Sequence, residues 1–467
     1  MVAPPSSIVR PLTLRPGILP AVAAAHPDRY PVLLDSAAEG SLSQASILAA
    51  FPRESLWRDG QGCLHAEPAS LLEALDCTAT AGFLDTLDRW LERSPSECSL
   101  PAGLPFSGGW LVYLSYEMAE EVEPRLQAQL PRGEALTAFA LRVPMAVVLR
   151  ADGSACLVAE PDVPESQIAQ LIADLDATPI MAPPEHIDIV AVEEEAPERY
   201  RHRVLRAQDY IRAGDIYQAN LSRPWVFTLA PGITTGELYG RLRRANPAPF
   251  AALVQFRDLT LLSSSPERLI RIRDGRIDSR PIAGTHPRGA TPEEDRELAA
   301  ALIAHPKERA EHVMLIDLER NDLGRVCEAG SVHVDEYMAV ETYAHVHHIV
   351  SNVTGQLRAD AGAVDALRAT FPGGTITGCP KLRCMEIIAE LEGEPRGGYT
   401  GSLGYINHDG SADFNILIRT MTLSGNRIGF RAGAGIVADS DPERELNETR
   451  SKARGMMLAL GAVAPRP

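Results

Sequence analysis

The sequence predicts an α+β fold in which antiparallel β-sheets pack as a sandwich with helices outside. Two observations carry this. Hairpins dominate the second half, with turns at Asp274–Gly275, at "HDG" and at "SGN". No regular strand–helix–strand alternation accompanies them, which argues against a parallel sheet, and no repeat at solenoid or propeller periods is visible.

The elements read in order. The first ~150 residues mix strand-like runs, such as "PVLLD" and "GGWLVYLSY", with helical patches such as "SLLEALDCTATAGFLDTLDRWLERS". A helix at "ESQIAQLIADL" precedes the proline- and acid-rich "MAPPEHIDIVAVEEEAPE". That shift in composition places a boundary near residue 190, dividing the chain into regions 1–190 and 191–467. Beyond it, "ERYRHRVLRAQDYIRAG" has helical periodicity and a terminal glycine. "FAALVQF", "LTLLSSS" and "RLIRIRDGRIDSRPI" read as strands. "RELAAALIAHPKERAEHVMLIDLERNDLG" reads as helix interrupted by Pro306.

Composition narrows the function classes. The chain of 467 residues is 45% hydrophobic and 23% charged, values of a soluble globular protein. A net charge of -17 and only 5% aromatic residues argue against a nucleic-acid surface. No apolar run is long enough for a membrane span, and the N-terminal stretch lacks a signal-peptide pattern. The seven cysteines are odd in number and irregularly spaced, so neither a disulfide frame nor a thiolate zinc site is indicated. A cytoplasmic enzyme is the expectation.

Four groups of residues could carry chemistry. Glu308 and Glu311 stand at i, i+3; Glu445, Glu448 and Lys452 stand at i, i+3, i+7. On helices, each set shares one face. Two such faces could hold a hard cation such as Mg²⁺, or each could be a solvated surface laced with ion pairs. In "FPGGTITGCPKLRCMEII", Gly373, Gly374 and Gly378 free the backbone for an anion. Thr377 is a candidate N-cap and Lys381 lies nearby. The same pattern also describes a tight turn before a capped helix. Glu267 in "SSSPERL" could act as a general acid or stand on the surface. His345, His347 and His348 cannot converge on one ion from a strand, because alternation sends His348 to the other face. Asn321 and Asp322 are expected to cap a turn.

Seven segments in order strongly resemble the chorismate-utilising enzymes, and especially the synthase subunits that aminate chorismate. They are "GDIYQANLSR", "SSSPERL", "RPIAGTHPRG", "AEHVMLIDLERNDLGR", "FPGGTITGCPKLRCMEIIAELE", "GSLGYINHDGSADFNILIRT" and "GAGIVADSDPERELNETRSKA". They span about residues 200–460, with a looser match before that. The resemblance implies the anthranilate synthase component I fold and a set of roles. Glu311 and Glu448 correspond to Mg²⁺ ligands, with Glu308 and Glu445 beside them, and the ion would clamp the ring carboxylate of chorismate. Glu267 corresponds to the acid that assists loss of the C4 hydroxyl. His348 and Thr375 line the substrate pocket. Tyr399, Arg419, the amides of Gly433 and Gly435, and Lys452 hold carboxylates.

Two positions refine the expected reaction. Relatives that add water to chorismate have lysine where this chain has Gln218, so amination is favoured. Ammonia would come from a separate glutamine amidotransferase subunit, because no cysteine here lies in a nucleophile elbow. Ala283 stands where the familiar folate-branch subunits carry a nucleophilic lysine; anthranilate synthases resemble this chain in having alanine. The texture of the other segments is closer to the folate branch. The expected product is 4-amino-4-deoxychorismate, with anthranilate as the alternative and a non-catalytic binding relative as the alternative of another class. The tryptophan-sensing L-L-E-S pattern of anthranilate synthases is present only as "LLDS", Leu33–Ser36, and His286 replaces an arginine common in relatives.

Overall fold

The computed structural model describes residues 7–38, 45–94, 103–133, 135–289, 291–342 and 346–462. Two large sheets are built from antiparallel pairs. The first has 12 strands. Its path runs from Ile8–Leu12 through Ala155–Ala159, Met145–Arg150, Ala45–Ala50 and Val32–Asp35 to Phe250–Phe256. It continues through Leu259–Ser265, Thr420–Ser424, Arg427–Ile436 and Gln218–Leu229 to Ile189–Glu194. The second has 11 strands, among them Gly109–Leu114, Ser402–Asn407, Arg268–Arg273, Ile282–Pro287 and Val346–Gln356. Both sheets take strands from either side of residue 190.

The alternation along single strands explains how the layers stack. In Gly109–Leu114, Leu111 and Tyr113 join a core shared with Ile47, Ala146, Val254 and Leu261 of the first sheet. Trp110, Val112 and Leu114 point the other way, into a core with the helices Phe83–Arg93 and Ala363–Thr370. The first sheet behaves alike: Ala252 and Val254 face the sandwich interior, whereas Leu253 joins the core with Ile18, Ile168, Leu238 and Met456. Because central strands such as these are apolar on both faces, helices cover the outside of each sheet.

Local chemistry sets the element ends. Pro306 does end one helix, Pro292–Ala304, and opens the next, Pro306–Gly324. Between them His305 takes the extended cap conformation, and its ring accepts from the Glu308 amide at 3.4 Å. The helix Pro442–Leu460 starts in the same way, with the Asp441 carboxylate accepting from the Arg444 amide at 2.8 Å.

Three local expectations are corrected. The patch over residues 70–94 is two helices, Ser70–Ala74 and Phe83–Arg93, with a turn between. Thr377 is not a helix cap: it is fully buried, and its hydroxyl donates to Gly373 O at 2.9 Å. Gly378–Cys379 pair as a short strand with Gln218–Ala219, so the helix Lys381–Glu392 begins later, after Pro380. Asn321 and Asp322 lie inside the helix Pro306–Gly324 rather than at a turn.

Candidate active site

The site is assembled from strands of both sheets, the glycine-rich turn before the helix Lys381–Glu392, and the helices Pro306–Gly324 and Pro442–Leu460. The strands Gln218–Leu229 and Arg427–Ile436 pair so that Asn220 lies opposite Gly435 and Ser222 opposite Gly433. The two glycines have a steric reason. A Cβ at Gly433 would stand 2.8 Å from the Tyr399 hydroxyl, and one at Gly435 would stand 2.3 Å from Gln218 Nε2. Bare backbone therefore lets the phenol and the carboxamide approach the strand. Gln218 Nε2 then donates to Glu311 Oε1 at 3.0 Å.

Glu267 follows the strand Leu259–Ser265 and is 6% exposed. Its Oε1 accepts from the Thr375 hydroxyl at 2.6 Å. Burial pushes its carboxyl up to about 7, Thr375 opposes this, Glu319 adds to it, and Lys452 and Arg419 oppose it. A carboxyl that is half protonated near neutral pH is suited to giving up a proton. Arg419 is a non-glycine residue at φ 51, a costly backbone region. Burial pulls its guanidinium down, and Glu267 holds it up. His348 is buried, and its Nδ1 meets Gly284 O at 3.3 Å. Burial and then Arg419 push its imidazole down to about 4, so it is neutral at pH 7. With the proton on Nδ1 donated to that carbonyl, Nε2 is an acceptor.

The acid-rich wall lies on two helices, as the spacing suggests. Burial raises the Glu311 carboxyl, Glu308 adds to this, Gln218 and Lys452 oppose it, and Glu448 adds again. Glu448 pairs with Lys452 at 2.8 Å. Glu445 is 7% exposed, and its field and that of Glu448 reach the buried phenol of Tyr200. Among the described residues, no three acid, imidazole or thiol groups stand as a ready-made metal cage. The donor chemistry still fits a hard cation: the set offers only carboxylate oxygens, and the mutual repulsion at Glu311 is of the kind a cation relieves.

The structure therefore draws Glu267, Thr375, Gln218, Tyr399, Arg419, Gly433, Gly435, Lys452, Glu311, Glu308 and Glu448 into one neighbourhood. Ala283 is 7% exposed and pairs with Ile349, beside His348. Other expectations fare differently. Lys381 does not offer a free anion seat: it is ion-paired with Asp322 and donates to Thr370 O at 2.9 Å. As strand alternation predicts, His347 turns away from His348, meeting Asp295 at 2.8 Å. His345 and the side chain of His286 lie outside the described residues. In the "LLDS" segment, Asp35 is buried, accepting from Tyr239 at 3.0 Å and pairing with Arg243 at 2.7 Å.

Two acids escaped notice in the sequence. Glu319 and Glu392 sit in patterns that read as ordinary helix surface, yet they are 4% and 2% exposed. A signal was available for Glu392: the i, i+4 pair with Arg396 spans a helix end at Gly393.

The family model described as chorismate binding enzyme matches residues 48–458, well before the segments that carry the resemblance most clearly. An anthranilate synthase component I-like protein from Synechocystis sp. is 40% identical over 367 residues, 78% of this chain and 74% of that protein. An aminodeoxychorismate synthase from Streptomyces griseus is 39% identical over 462 residues, 93% of this chain but 61% of that protein. The chain spans just over half the length of several other curated relatives. In structure, it matches anthranilate synthase component I from Streptococcus pneumoniae with a TM-score of 0.76 and 32% identity, covering 90% of this chain and 93% of that one. With a family model matched over most of its length, this chain belongs to the chorismate binding enzymes.

Proposed function

We propose that the chain is a Mg²⁺-dependent chorismate-aminating synthase subunit whose product is 4-amino-4-deoxychorismate. The observation that carries the amination is Gln218. An amide hydrogen-bonded to Glu311 stands at the wall of the site, where a base that activates water would be needed for hydration. Ammonia is itself a nucleophile and needs no such base. The likeness of 93% of this chain to 61% of the Streptomyces aminodeoxychorismate synthase supports the choice of product.

The chain's residues then divide the work. Arg419 and Lys452 hold substrate carboxylates, the first suited to a bidentate grip and the second to a point charge. Glu267 gives its proton to the C4 hydroxyl, so that the C4–O bond breaks and water leaves. Ammonia forms the new C4–N bond and releases one proton. Ala283 offers no amine, so the covalent lysine route is closed at this position. Mg²⁺, held by Glu311 and Glu448 with Glu308 and Glu445 beside them, would neutralise and orient the ring carboxylate. The ammonia would be supplied by a glutamine amidotransferase subunit.

A second reading, anthranilate formation, is favoured by Ala283 and by the likeness to the pneumococcal protein. One reaction separates the two. Chorismate, Mg²⁺ and ammonium salt at mildly alkaline pH should be converted to a product that yields 4-aminobenzoate only after a lyase is added. Fluorescent anthranilate appearing without a lyase decides for the second reading, and unconsumed chorismate sinks both. In the same assay, Glu311→Gln is expected to raise the Mg²⁺ concentration for half-maximal rate by about 10–100-fold. An unchanged Mg²⁺ titration would remove Glu311 from the ligand set.

A further inference from the structure

Behind the general acid lies a second carboxyl to which the family reading gives no role. Glu319, on the helix Pro306–Gly324, is 4% exposed. Its Oε2 accepts from the Ser279 hydroxyl at 2.7 Å, and its carboxylate also accepts from the Gly374 amide. The fit at Gly374 is close, since a Cβ there would lie 3.0 Å from Glu319 Oε1. The next residue, Thr375, is the one that donates to Glu267. Two consecutive residues of one glycine-rich turn thus serve two buried acids, one on each side. Ser279 closes the third wall: it ends the strand Arg276–Ser279, just before the segment that carries Ala283.

We propose that Glu319 is a positioning residue for Glu267: it fixes the Gly374–Thr375 turn that grips the general acid, and its charge keeps the proton on Glu267 until substrate takes it. The inference rests on the reading of Glu267 as the general acid. The two acids face each other and share their surroundings with further charged and polar groups. Around Glu267 stand Thr375, Glu319, Lys452 and Arg419. Around Glu319 stand Asp322, Lys381, Ser279 and the Gly374 amide. The negative member of the first set is Glu319, set against two cations, so its removal leaves the cations unopposed. Glu319 takes its hydrogen bonds from a hydroxyl and an amide, and the nearby cation, Lys381, is ion-paired with Asp322 instead. Burial and Asp322 push Glu319 itself up to about 7, so the two acids titrate in the same range.

The test is the pH profile of kcat/KM for the full chain, with Mg²⁺ and with free ammonia held constant. Glu319→Gln should move the alkaline limb to lower pH by about half to one unit, because Glu267 loses its proton more easily. Glu319→Asp, which keeps the charge, should restore most of the wild-type limb. If Glu319→Gln fails to fold, Ser279→Ala should move the limb in the same direction by less, since it removes a donor that favours charged Glu319. An alkaline limb that coincides with wild type, whatever happens to kcat, overturns the proposal. Infrared titration of the protonated-carboxyl band in the substrate-free protein gives a readout independent of turnover. Glu267→Gln identifies which part of the band is Glu267, and Glu319→Gln should shift that part to lower pH. A chain that consumes no chorismate would sink the functional reading, while an unshifted band would sink this one.

Discussion

Glu267→Gln is expected to lower chorismate turnover by about 10²–10⁴-fold and, at pH 8, to make the fold more stable. The activity loss follows from removing the proton donor, since glutamine keeps the shape and can still accept from the Thr375 hydroxyl. The stability gain follows from linkage. Burial pushes the folded-state carboxyl from 4.5 up to about 7. The folded protein therefore holds this proton more tightly than the unfolded chain. Its contribution is fully favourable below pH ~4.5 and is lost as pH rises through about 7. The shift corresponds to about 3 kcal/mol. Denaturant midpoints of the two proteins should lie close together at pH 4 and separate in favour of Glu267→Gln by pH 8. Midpoints that stay parallel across this range would show that the carboxyl is not held in its neutral form. A catalytic group that costs stability at its working pH is a familiar trade, because the burial that tunes the acid is the burial that disfavours its anion.

What the sequence disclosed was local. The hairpin at Asp274–Gly275 was readable because a two-residue turn with φ 53 and 72 needs residues tolerant of the left-handed region. The break at Pro306 was readable because a proline cannot continue a helix from its carbonyl partners. Sheet membership was not readable. Val32–Asp35 lies beside Phe250–Phe256, more than 200 positions away, and both strands are too short and too apolar to specify a partner. For the site, helical spacing put Glu308 with Glu311 and Glu445 with Glu448 on shared faces, but only the fold brings the two helices together. Lys381 illustrates the limit. A lysine after a glycine-rich turn suits an anion, yet the buried Asp322 from another helix takes it. Glu319 was missed because an acid in the charge-rich helical run Asp317–Asp322 has no local mark of burial.

Glu392→Ala should destabilise the protein by about 3–5 kcal/mol, read as a fall in the urea midpoint at pH 7. Its side chain is 1% exposed and accepts from Arg396 at 2.7 and 3.0 Å, from Arg431 at 2.9 Å and from the Ser222 amide at 2.8 Å. Burial alone would raise this carboxyl, but Arg396 and then Arg431 hold it at about 2. Its sign is opposite to that of Glu267. The contribution is present above pH ~4.5 and is lost as pH falls through about 2. Alanine would leave two guanidinium groups buried without their anion, whereas Glu392→Gln keeps hydrogen-bond capacity and should cost less. The effect should also reach the site. Arg396 donates to Asn220 O at 2.8 Å and Ile376 O at 3.2 Å, and its guanidinium lies 5.6 Å from the ring centre of Tyr399. The strand that faces Gly433 and Gly435, the glycine-rich turn and the phenol all depend on this one ion cluster. In a Glu392→Gln protein that still folds, KM for chorismate should therefore rise more than kcat falls, because under the proposed mechanism the loosened groups hold substrate whereas Glu267 delivers the proton. A variant with a wild-type urea midpoint and an unchanged KM would show that the cluster neither stabilises the fold nor positions the wall of the site.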